Sequence, residues 1–181
     1  GDGGAANIGN GGTNLMVSGG IINQLFGGSN LNGTIAGDMR VNVTNSGDCD
    51  EDITEFFGGS NEAPIAANLH TTIGCNTVTP VNIANIYGGS NLASITGNVQ
   101  LDIYGGIFSN VYAGSKGVAA SATSTGTAAN ITGNTILNLY GGTIDNAFGG
   151  SNANGNITGT IQVNVDDLGD CPLQVNTVYD L

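Results

Sequence analysis

Few residues in this chain could act in acid–base or nucleophilic catalysis. His70 is the only histidine, and Arg40 and Lys116 are the only basic residues among 181. A nucleophile needs a base within hydrogen-bonding reach. His70 lies instead in the stretch Leu69-His70-Thr71, which is typical of a strand with a solvent-facing histidine. We therefore predict no catalytic residue, no cofactor and no enzyme. A polysaccharide lyase, whose basic residue would have to be Arg40 or Lys116, is the least favoured alternative.

An acidic run offers one candidate metal site. Asp48, Asp50, Glu51 and Asp52 supply the hard oxygen ligands that Ca²⁺ prefers. The run lacks the glycine and the glutamate of an EF-hand loop, and the nonapeptide repeats of RTX proteins are absent. We expect a solvated charged corner without a metal, and Asp48, Asp50 and Asp52 are the ligands if Ca²⁺ does bind.

Composition restricts the partners that the chain can have. The net charge is −12, which argues against nucleic acids and anionic membranes because phosphate binding needs Lys and Arg. No run approaches the roughly 18 apolar residues of a membrane span. Hydrophobic residues make up 39% of the chain, so a core can form. We expect residues 1–181 to form a single domain that neither binds nucleic acid nor inserts into a membrane.

The chain consists of six copies of one unit. Each copy has an isoleucine, then an alternating apolar pair such as Val41-Asn42-Val43, then an aromatic residue that Gly-Gly-Ser-Asn usually follows. Alternation of this kind is typical of half-buried strands. The isoleucines are Ile8, Ile35, Ile65, Ile95, Ile131 and Ile157, with spacings of 27, 30, 30, 36 and 26 residues. The aromatic residues are Phe26, Phe57, Tyr87, Tyr112, Phe148 and Tyr179.

These units predict an all-β fold, a parallel β-helix or solenoid of six coils with about 30 residues and three short strands per coil. We name the strands C (isoleucine), A (alternating pair) and B (aromatic). A single coil cannot bury its own apolar face, so coils stack at about 4.8 Å and share a core. In coil 1 one extra residue is needed to bring Leu15 and Val17 into the positions of Val41 and Val43.

Stacking places equivalent residues in columns, of which the isoleucines and the strand A pairs should face inward. Strand B has two apolar sets three residues apart, such as Ile53 and Phe56, and this spacing requires a bend or bulge. We expect the second set to face inward and the six aromatic residues to stack on the outer face, because the converse would bury Glu55. The Gly-Gly after each aromatic residue suits a tight corner with positive φ.

All three cysteines fall at the corner between strands A and B. Cys49 and Cys75 belong to adjacent coils, so a disulfide is feasible within a Cα separation of about 4.4–6.8 Å. Cys171 lies three coils beyond Cys75, about 14 Å along the axis at the usual strand spacing. We therefore expect Cys171 to pair with a second molecule.

The sequence shows no capping segment at either end. The chain begins just before strand C of coil 1 and stops at strand B of coil 6. If a second molecule continued the rod, 10 residues would separate Tyr179 from the next Ile8, and the equivalent separations within the chain are 9, 8, 8, 19 and 9. The repeat would stay in phase across such a junction, so we expect an uncapped subunit of an end-to-end polymer.

The units Ile-Thr-Gly-Asn and Tyr/Phe-Gly-Gly-Ser-Asn resemble the Gly/Asn-rich repeats of microbial surface β-solenoids over nearly the whole chain. A small acidic protein with a spare cysteine also resembles the sheath proteins of filamentous methanogenic archaea, which build tough tubular envelopes. The resemblance implies an extracellular location, at the cell envelope or surface, and carries over no catalytic residue.

We therefore expect a structural subunit whose partner is itself. Copies would join through β edges and intermolecular disulfides into an amyloid-like sheath, filament or surface layer. The alternative is a cell-surface adhesin or carbohydrate-binding β-helix that uses the outer aromatic and Asn columns, with Tyr87 and Tyr112 as contact residues.

Overall fold

Twelve short strands make up the regular structure of the described residues. The computed structural model describes residues 7–45, 47 and 51–180. In chain order the strands are β1 (Thr13–Val17), β2 (Gly20–Phe26), β3 (Met39–Val43), β4 (Glu51–Phe57), β5 (Leu69–Ile73), β6 (Asn82–Tyr87), β7 (Val99–Ile103), β8 (Ile107–Tyr112), β9 (Thr135–Leu139), β10 (Gly142–Phe148), β11 (Ile161–Val165) and β12 (Leu173–Tyr179). The odd-numbered strands form a six-stranded parallel sheet, sheet A, and the even-numbered strands form a second, sheet B. Each repeat adds one strand to each sheet, which confirms the predicted all-β solenoid.

Sheet A stacks in register from end to end. Leu15 pairs with Val41, and Val17 pairs with Val43. The extra residue in coil 1 is thus accommodated as predicted. The inward pairs of coils 2 to 5 are buried, because every second residue of a strand faces the same side.

The strands of sheet B bend, and both of their apolar sets face inward. Ile53 and Glu55 of β4 pair with residues of β6, but Thr54 between them does not pair. Every strand of sheet B leaves the equivalent residue unpaired. Ile53 and Phe56 are buried in one core, whereas Thr54 is exposed and Glu55 is partly buried. The expected bend is present, but the prediction that only the second set faces inward was wrong. Two successive outward residues at the bend turn both sets inward without burying Glu55.

The third side of each coil is one residue wide. The six isoleucines form a column of single parallel bridges, so the predicted strand C is a bridge and not a strand. In coil 3, for example, Ile65 O accepts a hydrogen bond from Thr96 N at 2.9 Å. A Cβ on Gly97 would lie 2.1 Å from Ala67 O, so the backbones of adjacent coils are in contact directly after the bridge. The chain turns there, which keeps the bridge short.

The repeated glycines have two different roles. We predicted positive φ in the Gly-Gly-Ser-Asn motifs, and this was wrong because none of their glycines has it. These glycines instead allow coils to approach closely, since a Cβ on Gly58 would lie 2.4 Å from Gly88 O. Positive φ occurs at the tight corners between the sheets, at Gly20 (119°), Gly106 (110°) and Gly142 (98°).

The core lies between the two sheets and behind the isoleucine column. In coils 2 to 5 its side chains are almost completely buried. In coils 1 and 6 the same columns are only partly buried, at Leu15, Ile22, Val163 and Val175. Each apolar column therefore ends at a partly open face of the rod.

Candidate functional site

Six aromatic rings form one continuous stack along sheet B. Successive ring centroids are 4.7–5.0 Å apart, and the ring planes differ by 4–8°. The rings belong to Phe26, Phe57, Tyr87, Tyr112, Phe148 and Tyr179, the residues that the sequence analysis assigned to this column. The centroid spacing is close to that of the strands, so each ring lies flat on the next.

Lys116 covers the middle of this stack. Its Nζ lies 5.8 Å from the ring centroids of both Phe57 and Tyr87, within the range of a cation–π contact, and it forms an ion pair with Glu55. Asn152 Nδ2 also donates a hydrogen bond to the hydroxyl oxygen of Tyr87 at 3.2 Å. Tyr87 is only 2% exposed, so its ring cannot stack on a sugar as the adhesin alternative requires.

The surroundings of Lys116 shift the pKa values of Glu55 and Tyr87 in opposite directions. Burial raises the pKa of Glu55, but hydrogen bonds from Lys116 and Gln24 and the charge of Lys116 outweigh it, so the net pKa lies below its ordinary value. Burial raises the pKa of Tyr87, the Glu55 charge adds to this, and the Asn152 hydrogen bond opposes it. Glu55 is therefore held ionised and Tyr87 neutral at physiological pH.

The Ser of each Gly-Gly-Ser-Asn motif bonds to a serine of the neighbouring coil, and the Asn side chains of the first three motifs bond to one another. Ser29 N donates to Ser60 Oγ, and Ser60 N to Ser90 Oγ, both at 3.1 Å. Asn61 Nδ2 donates to Asn30 Oδ1 at 2.8 Å on the outer side. A buried serine hydroxyl is costly without a partner, so these contacts explain why a polar residue is tolerated inside each corner.

The cysteine pairing differs from the prediction. Cys75 and Cys171 form an intrachain disulfide with a Cα–Cα distance of 5.8 Å, so Cys171 is not free for a second molecule. The coils between them turn at Gly105 and Gly141, which have no side chains. A Cβ on Gly105 would lie 2.8 Å from Cys75 Cα and 3.1 Å from Cys171 Sγ. The 166–172 loop therefore reaches across two tight corners. The sequence estimate was wrong because it confined each corner loop to its own coil.

Cys49 and two of the candidate calcium ligands, Asp48 and Asp50, lie outside the described residues. Asp52 is exposed and accepts a hydrogen bond from Asn82 Nδ2 at 2.9 Å. Across residues 7–45, 47 and 51–180, no group of three or more His, Cys, Asp or Glu side chains could hold a metal ion.

Glu51 is an unusual residue that the sequence analysis placed only in the acidic run. It is 1% exposed, and neither carboxylate oxygen has a hydrogen-bond partner among the described residues. Burial raises its pKa above the ordinary value. Its column runs through Val81 in the next coil and reaches Leu173 in β12, so the position faces inward. Alignment of the repeats, which places Glu51 in the column of Val81 and Leu173, could have identified it as an inward residue from the sequence.

His70 also has a partner that sequence reasoning missed. Its Nε2 lies 2.6 Å from Asp102 Oδ2, and the Asp102 side chain is largely buried. Gln100 Nε2 and Asn138 Nδ2 donate to the same carboxylate, at 3.0 and 2.6 Å. His70 and Asp102 lie on the outer face of sheet A in adjacent coils, 32 residues apart in sequence, and only the coil register brings them together.

A polar groove runs beside this pair along the outer face of sheet A. It has a volume of about 280 Å³, and its lining includes Arg40, His70, Asn98 and Asn134. Backbone N–H groups of the next coil donate to the Oδ1 atoms of both asparagines, at 2.8 Å each. Arg40 makes no ion pair with any residue that the structure describes. Arg40 and Lys116, the basic residues that a lyase would need, are thus on different faces.

The two ends of the rod expose apolar side chains. Of the eleven large hydrophobic residues exposed in the described part of the chain, seven belong to coils 1 and 6. They are Met16, Ile21, Leu31, Val165, Leu168, Val178 and Tyr179. The outer edges of β1 and β2, and those of β11 and β12, have no neighbouring strand among the described residues.

Comparison with known proteins adds no relative. No family model matches the chain, and no curated protein or solved structure matches it either. Within the part of the chain that the structure describes, no helix is long and apolar enough to cross a membrane.

Proposed function

We propose that this protein is a structural subunit that assembles end to end, through the edges of coils 1 and 6, into an extracellular sheath, filament or surface layer. The observation that carries this proposal is the concentration of exposed apolar side chains on the two end coils. Exposed strand edges pair readily with further strands. A second copy is the partner that both edges fit.

The two edges are complementary in most columns. If coil 1 of one copy stacks on coil 6 of another, the aromatic stack continues and most inward apolar positions meet an apolar side chain, whereas Ile161 meets Thr13 and Leu173 meets Gly20. The matched positions are Ile157 with Ile8, Val163 with Leu15, Val175 with Ile22, Val178 with Leu25 and Tyr179 with Phe26. The contact would repeat the geometry that already joins the coils within the chain.

Such a contact generates an open polymer. The two surfaces differ, so the interface is heterologous, and parallel stacking leaves a free edge after each addition. The outer surface of the rod is acidic and rich in uncharged polar groups, with a net charge of −12 per chain, which suits a solvated coat. The Cys75–Cys171 bond fits an oxidising compartment outside the cytosol. Disulfides between polymers would then involve Cys49, the third cysteine of the chain.

Electron microscopy and sedimentation velocity of purified protein in non-reducing buffer test the proposal. We expect filaments, hoops or sheets with a repeat of about 4.8 Å along the rod. Leu15→Lys places a charge on the end face of coil 1 and should prevent assembly. Asn14→Lys adds the same charge to the outer face of the same strand and is the matched control. A monodisperse wild-type monomer, or equal assembly of both variants, would refute end-to-end association.

The polar groove on sheet A supports a second candidate, a carbohydrate-binding surface. The Oδ1 atoms of Asn98 and Asn134 accept backbone hydrogen bonds. Their amide nitrogens have no partner among the described residues. With Arg40 beside them they offer donors to sugar hydroxyls along the rod. Binding on a glycan array that is lost in Asn98→Ala would support this role, and an array without any bound glycan would exclude it.

A further inference from the structure

Coil 1 and coil 6, the two end coils of the rod, are held in place by different contacts. We propose that coil 6 is the preformed template in the association of two copies, and that coil 1 becomes fully ordered only when it docks. This inference rests on the function proposed above and assigns a distinct role to each of its two edges.

Coil 6 is held by a covalent bond to the interior of the rod. Cys171 lies between β11 and β12, and its disulfide joins coil 6 to Cys75 in coil 3. The same loop is bonded to coil 5, because Gly142 N donates to Cys171 O at 3.3 Å and Leu168 N donates to Tyr140 O at 3.1 Å. An end coil normally opens most easily in a solenoid. Here opening of coil 6 is restrained by an anchor three coils away.

The corner of coil 1 has no comparable support from the residues that the structure describes. Gly19 and Gly20 both have positive φ, at 148° and 119°. A Cβ on either glycine would meet no atom of the described residues within 4 Å, so the side-chain space at this corner is open in the described part of the chain. The tight corners at Gly105 and Gly141 are in contact with Cys171 instead. Glycine loses more backbone entropy on folding than other residues, so an uncovered Gly-Gly corner is the weaker of the two arrangements.

A residue of coil 2, Glu51, also weakens the contact between coils 1 and 2. Gly20 pairs in register with Glu51, the buried carboxylate that has no hydrogen-bond partner in the described part of the chain. No side chain at Gly20 fills the column above it. An unsatisfied buried carboxylate opposes the packing that would hold coil 1 in place.

A docked copy would supply part of what coil 1 lacks. Ile21 and Ile107 occupy the same outward column of sheet B. Ile107 has a strand on each side and is 45% exposed, whereas Ile21 has a strand on one side only and is 84% exposed. Stacking on coil 6 of another copy gives Ile21 its second neighbour. A preformed template lowers the ordering cost of association, because only one of the two surfaces must become ordered.

Hydrogen exchange followed by mass spectrometry tests this assignment, in a Cys49→Ser background that prevents disulfide rearrangement. In the monomer we expect amides of residues 13–26 to exchange at least tenfold faster than those of residues 161–179. On assembly the first segment should slow at least tenfold and the second less than threefold. The Cys75→Ser/Cys171→Ser double variant should accelerate exchange in 161–179 at least tenfold and leave residues 51–57 unchanged.

Three results would overturn the assignment. One is an oxidised monomer in which both ends exchange equally fast, and another is assembly that protects coil 6 more than coil 1. The third is a double variant whose exchange rises equally in 161–179 and 51–57, because the disulfide would then stabilise the whole rod and not its end. A chain that never assembles overturns the proposed function together with this inference, whereas the first two results leave the proposed function intact.

Discussion

Replacement of Glu51 should stabilise the protein, although most substitutions of a buried residue destabilise. Its carboxylate lies in an inward column, and none of the residues that the structure describes is a partner for either oxygen. We expect Glu51→Gln, which removes the charge and keeps the shape, to raise the free energy of unfolding at pH 8. Glu51→Leu should raise it further, because Leu173 already occupies the same column in coil 6.

The magnitude follows from the cost of an unsatisfied group. A buried polar group without a partner costs about 1–3 kcal/mol, and a charged one costs more. Glu51→Gln removes the charge but keeps a buried polar group, so we expect it to gain about 1 kcal/mol at pH 8; Glu51→Leu also removes that polar group and should gain about 1–3 kcal/mol more. For a chain of this size, each kcal/mol corresponds to about 2–4 °C in Tm.

The pH dependence of this gain follows from the raised pKa of Glu51. Below its ordinary value of 4.5 the carboxyl is protonated in both the folded and the unfolded chain, and Glu51→Gln should have little effect. As the pH rises from 4.5 through the raised pKa, the unfolded chain loses its proton first and the wild type loses stability. The advantage of Glu51→Gln should grow over this interval and then remain constant.

Urea unfolding followed by circular dichroism at pH 4 and pH 8 measures these differences. Asp52→Asn, which neutralises the adjacent exposed carboxylate, is the matched control and should change stability by less than about 0.5 kcal/mol. If Glu51→Gln destabilises the protein at pH 8, or if its effect equals that of Asp52→Asn at both pH values, the reasoning about a buried unpaired charge is wrong.

Three further predictions follow from the contacts of the rod. Ile21→Asn should raise the concentration needed for assembly roughly threefold, because docking covers part of this side chain. Sedimentation velocity measures this change and should show none for Ile107→Asn in the same column. Lys116→Met should raise the lowered pKa of Glu55, which NMR titration of the carboxyl measures. The variant should also lack the stability that the wild type loses as the pH falls through that pKa. An unchanged pKa would mean that the ion pair does not form in solution. Phe57→Ala should cost about 3–5 kcal/mol in urea unfolding, because it leaves a void in a buried ring stack, and a cost below about 1 kcal/mol would contradict that burial.

Much of the fold was predictable because solenoid columns follow from local periodicity. The spacing of the isoleucines and the alternation in strand A indicate which residues stack, and Leu15 and Val41 are indeed register partners. The aromatic column was identified in the same way. Strand B was harder, since a bend at Thr54 turns both Ile53 and Phe56 inward, and periodicity alone allowed only one set to face the core.

The remaining features depend on how one coil packs on another. Cys75 and Cys171 are 96 residues apart in sequence and meet only because the intervening corners have no side chains. The contact between His70 and Asp102 and the unpartnered carboxylate of Glu51 likewise depend on neighbours from other coils. Period and pleat are properties of the local chain, so repeat counting was sufficient for the columns. Corner geometry, hydrogen-bond partners and burial are properties of the stacked coils, and only the folded rod specifies them.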